Sequence, residues 1–412
     1  MTAEPRNVEP TAADRGGGGP RSDSAMTALL TGAMAFSMMQ LFLLGALGPR
    51  LVRDLDVSPT VLGLTTTVGF GAAAVLSPLG GRVVDRVGPR RCLVALLAVA
   101  AGALALIGSA PGAGFLLAAV ALGGLPQALA NPATNKAILA AVPAERRGAV
   151  TGMKQSGVQL GAFAAGLPLT ALAGLAGWRA AVWTAAAAAV GAAVWAARTL
   201  PVDPAPKSPP PAVSVWRPRG TIAWLAVFSL LLGCGIASVN TYLSLYGAER
   251  LGWGPTAAGA LVAVLGIAGI AGRVGWSKVA GDPDRARRLP AALSAGAVAA
   301  ALLLAASTYA HPLVWLAAIA VGVFAVSANA VSMVLVMQRA APGRAGQDSA
   351  LVSAGFFAGF AVGPPLFGLL ASAGRYGAGW LVVAGEFAAA GAVALTWAVR
   401  ERGAVAGVVG GR

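Results

Sequence analysis

Hydrophobic residues in this chain come in twelve long runs, which are separated by short polar segments. Each run holds about 20 mostly apolar residues, the number that a helix needs to cross the hydrocarbon core of a bilayer. Because backbone groups find no water inside a bilayer, each run must be helical. The predicted spans are residues 25–47, 60–79, 91–109, 115–141, 149–172, 178–198, 221–246, 256–276, 290–309, 312–337, 347–371 and 377–399.

A proline-rich segment divides these spans into two groups of six. Residues 200–220 contain seven prolines, which favour an extended connector over packed structure. Residues 142–168 also resemble residues 341–365, as expected for a duplicated six-helix unit. The predicted organisation is a disordered cytoplasmic tail (1–24), a first bundle (25–198), a linker (199–220), a second bundle (221–400) and a cytoplasmic tail (401–412). The predicted fold class is therefore an all-α integral membrane protein with two pseudo-symmetric six-helix bundles.

The composition supports this prediction. Of the 412 residues, 57% are hydrophobic and only 11% are charged, and the mean hydropathy is +0.74. The net charge of +15 would suggest nucleic-acid binding in a soluble chain, but here the basic residues cluster between apolar runs and form no continuous stripe. Nucleic acid is thus not an expected partner, whereas the lipid bilayer is.

The distribution of basic residues sets the predicted orientation. Of 30 Lys and Arg residues, 23 fall on the side that carries both termini and five on the other side. The positive-inside rule therefore places both termini in the cytoplasm of a multi-pass protein of the cell inner (plasma) membrane.

Catalytic and metal chemistry have little support in the sequence. The two cysteines and the single histidine are far apart, and the carboxylates are scattered among short loops. A membrane-embedded enzyme would need such groups to converge near the interface. We therefore expect no enzyme activity, no cofactor and no metal. A non-transporting sensor stays open as an alternative.

The loop between the second and third spans carries a recognisable pattern, GGRVVDRVGPRRC at residues 80–92. Together with NPATNK (131–136), ERRGAVTG (145–152) and GWRAA (177–181), it resembles the major facilitator superfamily over nearly all of residues 25–400. This resemblance implies a functional monomer that moves a small solute by alternating access. The matching loop residues are Gly81, Asp85, Arg86, Gly88, Arg90 and Arg91.

By the same resemblance, this loop is a conformational latch between the two halves. Gly81 would let two helix ends approach closely, and Asp85 would meet the start of the eleventh span near Gly346 and Gln347. The alternative is that the arginines only anchor the loop at the anionic membrane surface.

The family's cavity is lined mainly by spans one, four, seven and ten, and polar residues there are candidates for substrate binding. A structural role in hydrogen bonds between helices is the alternative for each of them. The candidates on these spans are Gln40 beside Ser37, Asn131, Asn135, Lys136, Asn240, Tyr242 and Asn329.

Lys136 and Lys154 are basic residues inside spans, where a charge is costly, by roughly 2.5 to 3.5 kcal/mol at the bilayer centre. We expect them to form an anion site, in which both lysines pair with a carboxylate or phosphate of the substrate. Four amide side chains would hydrogen-bond the same substrate: Asn131, Asn135, Gln155 and Gln159. Snorkelling of both lysines to the surface is the alternative.

The preferred function is secondary active transport of a small solute, with a lean toward an organic or inorganic anion. A coupling proton is left open, and Glu386, the one carboxylate well inside a span, is its candidate. The main alternative is a multidrug or metabolite efflux proton antiporter. By the same resemblance, such antiporters usually carry an acidic residue in an early helix and an arginine near the start of the fourth. Here residues 115–124 contain no arginine and the first span contains no acid, which disfavours this alternative.

Overall fold

The computed structural model describes residues 20–203, 220–280, 282–339 and 345–410. These residues form helices joined by short connections, and twelve of the helices are long and apolar enough to cross a membrane. The predicted all-α fold class with twelve spans is therefore confirmed.

The helices of the first half are α1 (Pro20–Ala46), α2 (Pro59–Val87), α3 (Pro89–Gly108), α4 (Ala113–Leu122, continued by Gly124–Ala141), α5 (Ala144–Ala164, continued by Ala165–Leu169 and Thr170–Ala176) and α6 (Trp178–Thr199). Those of the second half are α7 (Gly220–Glu249), α8 (Pro255–Val279), α9 (Pro283–Ala306), α10 (Leu313–Ala320, continued by Val321–Val326 and Ser327–Arg339), α11 (Ala345–Ser372) and α12 (Tyr376–Gly410). A short helix, Gly48–Asp54, connects α1 to α2.

Local sequence signals explain where several helices begin. Proline occupies the first turn of α2, α3 and α8, a position where its missing N–H group leaves no bond unmade. At α2 the Ser58 hydroxyl also accepts the backbone N–H of Val61 at 3.3 Å, which caps the helix. Between α2 and α3, Gly88 adopts a φ of 97°, which permits the sharp turn of the loop.

The helix ends differ from the predicted boundaries at both termini. Helix α1 begins at Pro20, inside the predicted tail, and α12 continues to Gly410, past the predicted boundary at residue 400. Residues 1–19 of the predicted tail and residues 204–219 of the predicted linker lie outside the described residues.

The two ends of the bundle are named here by their chain connections. The tail side carries the start of α1 and the end of α12, and the far side carries the connections α1–α2, α5–α6, α7–α8 and α11–α12. The two halves meet where α2 packs along α11 and where α5 packs along α8, and α1 also contacts α7.

The far side is closed by hydrogen bonds between the halves. Arg50 donates from Nη2 to Thr256 Oγ1 at 3.1 Å, and the Tyr242 hydroxyl donates to the Pro59 carbonyl at 2.8 Å. Ser244 donates to the carbonyl of Ala46 at 2.9 Å. Of the hydrogen bonds between the halves that the structure describes in full, only the one from Arg273 to Gln155 lies outside the far-side halves of the helices. We call this set of contacts the far-side seal.

Close backbone contact supports the far-side seal where α2 meets α11. Gly63 of α2 lies so close to α11 that a Cβ atom at this position would be 2.8 Å from the Pro364 carbonyl oxygen. The same Cβ atom would also collide with the Tyr242 hydroxyl. Only glycine therefore allows the two halves to meet at this point in the present conformation.

Candidate functional site

A cavity lies at the centre of the bundle, between the two halves. The empty space between its lining atoms, including the part that is open to solvent, is about 680 Å³. Side chains from α1, α4, α5, α7, α8, α10 and α11 line it. Because both halves contribute to its wall, any rearrangement of one half against the other would change access to it.

Half of the predicted binding residues lie on the cavity wall. They are Asn131 on α4, Gln155 and Gln159 on α5, Asn240 on α7 and Asn329 on α10. Gln155 donates from Nε2 to Asn131 Oδ1 at 3.1 Å, so this pair joins α5 to α4 at the cavity edge. Ser37 of α1 also lines the cavity, as its position beside Gln40 suggested.

Two predicted residues lie outside the cavity and hold helices together. Gln40 donates to the Val120 carbonyl of α4 at 3.4 Å, and its amide lies against Gly69 and Gly123. Tyr242 belongs to the far-side seal, where its ring stacks on that of Phe367 at 4.7 Å between centroids. For these two residues the structure shows contacts between helices, which was the alternative interpretation.

The two lysines do not form a common site on the cavity wall. Lys154 of α5 is fully buried, with 0% exposure, and its ammonium group donates to Thr134 Oγ1 at 2.7 Å and to Asn135 Oδ1 at 2.6 Å. Asn135 is thus engaged with Lys154 and does not line the cavity. Lys136 donates to the Val84 carbonyl of α2 at 3.2 Å. Each lysine is therefore held within the first half by its own set of partners.

Sequence reasoning missed the cation that does line the cavity, Arg273. It was counted with the basic loop residues near the tail side, yet it lies inside α8, six residues before the helix ends at Val279. Its side chain is buried, with 7% exposure, and Nη1 donates across the interface to the Gln155 carbonyl at 3.2 Å. An arginine inside an apolar run was the available signal, and the same test that singled out the lysines would have found it.

Gln127 of α4 is a second wall residue that sequence reasoning missed. It is buried, with 2% exposure, and neither its amide oxygen nor its amide nitrogen has a described hydrogen-bond partner. It lies one helical turn from Asn131, so it could have been found as a polar residue on the same face of α4.

Several polar atoms around the cavity lack partners in the described part of the protein. Besides Gln127, they are Arg273 Nε, Gln159 Oε1, Asn240 Oδ1 and Asn329 Oδ1. Buried polar groups are normally hydrogen-bonded, because an unmet donor or acceptor costs about 1 to 3 kcal/mol. Their convergence on one cavity indicates a space built to hold a polar ligand or water.

The α2–α3 loop is tied to its own half of the protein. The Asp203 carboxylate, which follows α6, accepts the backbone N–H groups of Arg90 at 2.9 Å and Arg91 at 3.0 Å. Arg90 also donates from Nη2 to the Ala197 carbonyl at 2.5 Å. Gly88 makes room for this carboxylate, since a Cβ atom there would collide with it. Asp203 is a partner of the loop that sequence reasoning missed.

The predicted latch across the halves rests on residues that the structure does not describe in full. The side chain of Asp85 and the start of α11 at Gly346 and Gln347 lie outside the described side chains. The close helix contact expected for Gly81 is made instead by Gly80, which lies against Ala128 and Pro132 of α4. Arg86 is exposed.

Glu386 is placed away from the cavity. It lies on α12, which packs against α7 and α9, and it is not among the cavity-lining residues. Its Oε2 atom is buried and has no described hydrogen-bond partner. Its role as a proton-coupling group stays a prediction.

Comparison with known protein families supports this architecture. The family model described as Major Facilitator Superfamily matches residues 29–352, which is well over half of the chain. The chain belongs to this superfamily. As a member of the superfamily it is a membrane transporter and not an enzyme, and its substrate is not specified by the match.

Relatives and solved structures are consistent with this assignment. Uncharacterised MFS-type transporters of Mycobacterium tuberculosis, strains CDC 1551 and H37Rv, are 28% identical over 343 residues, covering 81% of this chain and 76% of theirs. A bacterial homologue of the human lysosomal transporter Spinster, in an inward-facing and occupied conformation, is 15% identical. It superposes with a TM-score of 0.71, over 93% of this chain and 98% of that one.

The nucleoside transporter NupG is a further structural neighbour. It is 14% identical, with a TM-score of 0.69 over 90% of this chain and 99% of that one. At such identities the likeness concerns the fold alone and does not identify the substrate.

Proposed function

We propose that this transporter is a secondary active carrier of a small anion, with Arg273 as the main binding group. The observation that carries the proposal is the buried guanidinium of Arg273 on the wall of the central cavity. None of the described residues that line the cavity carries a carboxyl group. A buried charge without a counter-ion is unfavourable, so an anion entering the cavity would gain a strong partner.

The chemistry of the guanidinium supports this choice. Its planar group of N–H donors matches the geometry of carboxylate and phosphate, and hydrogen bonds between charged groups are about twice as strong as neutral ones. Of these donors, Nη1 is engaged with the Gln155 carbonyl and Nε has no described partner. The amide side chains of Gln127, Gln159 and Asn329 supply further hydrogen bonds to the solute.

This assignment gives the predicted lysines a different role. Lys154 holds α5 against α4 through Thr134 and Asn135, and Lys136 holds α4 against α2. We propose that both act by positioning the amide-bearing face of α4 and α5. In this proposal neither ammonium group touches the solute.

The transport cycle follows from the far-side seal. We propose that the far-side seal closes the far side and that solute reaches the cavity from the tail side in this conformation. The positive-inside rule assigns the tail side to the cytoplasm, and removing Arg273 from the loop count leaves 22 basic residues there against five. In this proposal the conformation is inward-facing, which is also the conformation in which the Spinster homologue was solved. Opening of the far-side seal would complete alternating access across the plasma membrane.

The efflux alternative fits this cavity less well. Lipophilic cations would meet a buried arginine without a carboxylate on the cavity wall, and like charges repel at short distance. Proton coupling through Glu386 is compatible with an anion carrier, although the carboxyl lies outside the cavity.

The proposal is tested by the thermal stability of the purified protein with a panel of chloride, nitrate, phosphate, acetate and lipophilic cations. A ligand that binds only the folded state raises the apparent stability, by about 2.7 kcal/mol at 100 times its Kd. We expect an anion to stabilise the wild type, Arg273→Gln to lose this effect, and Arg273→Lys to keep part of it. Arg179→Gln, on α6 near the far side, is the matched control and should behave as wild type. Stabilisation by lipophilic cations that Arg273→Gln leaves unchanged would overturn the proposal.

A further inference from the structure

The wall of the central cavity is divided into two chemically distinct parts. The polar part, which we call the amide wall, consists of Gln127, Asn131, Gln155, Gln159, Arg273 and Asn329. The apolar part, which we call the aromatic wall, consists of Phe356, Phe357 and Phe360 of α11 and Phe42 of α1.

The two walls belong to opposite flanks of the bundle. Arg273 and Gln155 lie where α8 packs along α5, whereas the three phenylalanines of α11 lie where α11 packs along α2 and α7. A solute that fills the cavity would therefore meet charge and amide groups at one end and aromatic rings at the other.

Three rings of the aromatic wall, those of Phe356, Phe357 and Phe360, form a continuous cluster with the ring of Phe70. Centroids of Phe356 and Phe360 are 4.5 Å apart, and Phe70 of α2 lies 4.6 Å from Phe360 and 5.7 Å from Phe357. These distances fall within the range of about 4.5 to 7 Å that is typical of favourable ring pairs. Phe356 and Phe357 keep 7% and 6% of their surface exposed, and both line the cavity. Their cavity-facing surfaces are where the ring of a solute would pack.

The charge of the cavity limits the charge of the solute. Arg273 is the one cationic side chain among the described lining residues, and no carboxyl group lines the cavity. A solute with one negative charge would be neutralised there, whereas a dianion would leave an uncompensated buried charge. The amide oxygens of Gln159, Asn240 and Asn329, which lack described partners, can accept hydroxyl or N–H groups of the solute.

Building on the proposed anion transport, we propose that the substrate is an aromatic monocarboxylate, or a monocarboxylate with a comparably flat apolar body. Its carboxylate binds the Arg273 guanidinium, and its ring packs against Phe356, Phe357 and Phe360. The amide wall then supplies the hydrogen bonds that distinguish one such acid from another.

The experiment compares binding of five probes to the purified wild-type protein by calorimetry: phenylacetate, benzoate, acetate, benzyl alcohol and phenyl phosphate. We expect phenylacetate or benzoate to bind at least about tenfold more tightly than acetate, because the ring buries apolar surface. Benzyl alcohol, which has the ring without the charge, should bind at least about tenfold more weakly than the aromatic acids. Phenyl phosphate, with a second negative charge, should also bind more weakly.

A pair of variants separates ring recognition from general packing. Phe357→Leu should weaken phenylacetate binding at least about fivefold and change acetate binding less than twofold. Phe367→Leu is the matched control, because Phe367 is a buried residue of the same helix that stacks on Tyr242 and does not line the cavity. It should leave the ratio of the two affinities unchanged.

The outcomes distinguish this inference from the proposed function. Acetate binding as tightly as phenylacetate would overturn the aromatic substrate and leave anion transport standing. Tighter binding of phenyl phosphate would overturn the monoanion. Failure of every anion to bind would overturn the proposed function itself. If Phe357→Leu does not fold, the wild-type ratio of acetate to phenylacetate affinities still decides the matter.

Discussion

Replacing Lys154 with methionine separates the two interpretations of this buried lysine. If the ammonium group binds the transported anion, as the sequence suggested, Lys154→Met abolishes anion binding. If it holds α5 against α4, as its contacts with Thr134 Oγ1 and Asn135 Oδ1 indicate, the variant loses stability and keeps its affinity. Methionine has a similar length and removes only the charge and the donors.

The stability change expected for Lys154→Met follows from the contacts that the lysine loses. Two hydrogen bonds from a charged donor are lost, at about 1.5 to 3 kcal/mol each, or about 3 to 6 kcal/mol together. Removing a charge from within a span returns roughly 2.5 to 3.5 kcal/mol. The net change should therefore lie between about −0.5 and 3.5 kcal/mol of destabilisation, with a middle value of about 1.5 kcal/mol. At about 2 to 4 °C per kcal/mol, we expect Tm to fall by roughly 3 to 6 °C.

The assay is thermal unfolding of the purified variant, with and without the anion that stabilises the wild type most. We expect a lower Tm and a ligand-induced rise in Tm equal to that of wild type. Lys136→Met is the control. Lys136 contacts α2 through the Val84 carbonyl, so this variant should also keep the wild-type response of Tm to the anion. A variant with wild-type Tm that no longer responds to the anion would refute the reasoning and restore Lys154 as a binding residue.

Two further predictions concern the far-side seal and the α2–α3 loop. Gly63→Val should force α2 away from the Pro364 carbonyl and the Tyr242 hydroxyl, so that conformers with an open far side become more populated. Labelling of a cysteine introduced at the buried Thr66 by a membrane-impermeant maleimide should then be at least about tenfold faster, and an unchanged rate would contradict this account. Asp203→Asn removes the negative charge of the carboxylate that accepts the backbone N–H groups of Arg90 and Arg91 at the start of α3. This variant should destabilise the protein by about 1 kcal/mol without altering anion affinity. An unchanged Tm at low salt would show that this contact contributes nothing.

The sequence by itself determined the number of spans and the family. Whether a segment crosses a bilayer depends on the length and apolarity of that segment alone, so twelve hydrophobic runs were sufficient to predict twelve helices. The loop at residues 80–92 identified the superfamily because its residues are adjacent in the chain. The predicted candidates Asn131, Gln155 and Asn329 also proved to lie on the cavity wall.

Only the tertiary structure decided which polar side chains face the cavity. Each helix presents several faces, and its rotation is set by packing against its neighbours, which the sequence of one helix does not contain. For this reason Lys154 and Arg273, both charged and both inside spans, have opposite surroundings: Lys154 lies against Thr134 and Asn135, and Arg273 lies on the cavity wall.

The same reason explains the contacts that join distant parts of the chain. The carboxylate of Asp203 reaches Arg90 across more than 100 residues of sequence, and Gly63 meets Pro364 across about 300. Neither pair can be recognised from the neighbouring sequence, because its two residues come into contact only when the helices pack. Local hydrophobicity therefore determined where this protein crosses the membrane, and the packing of helices from both halves determined where it can bind its solute.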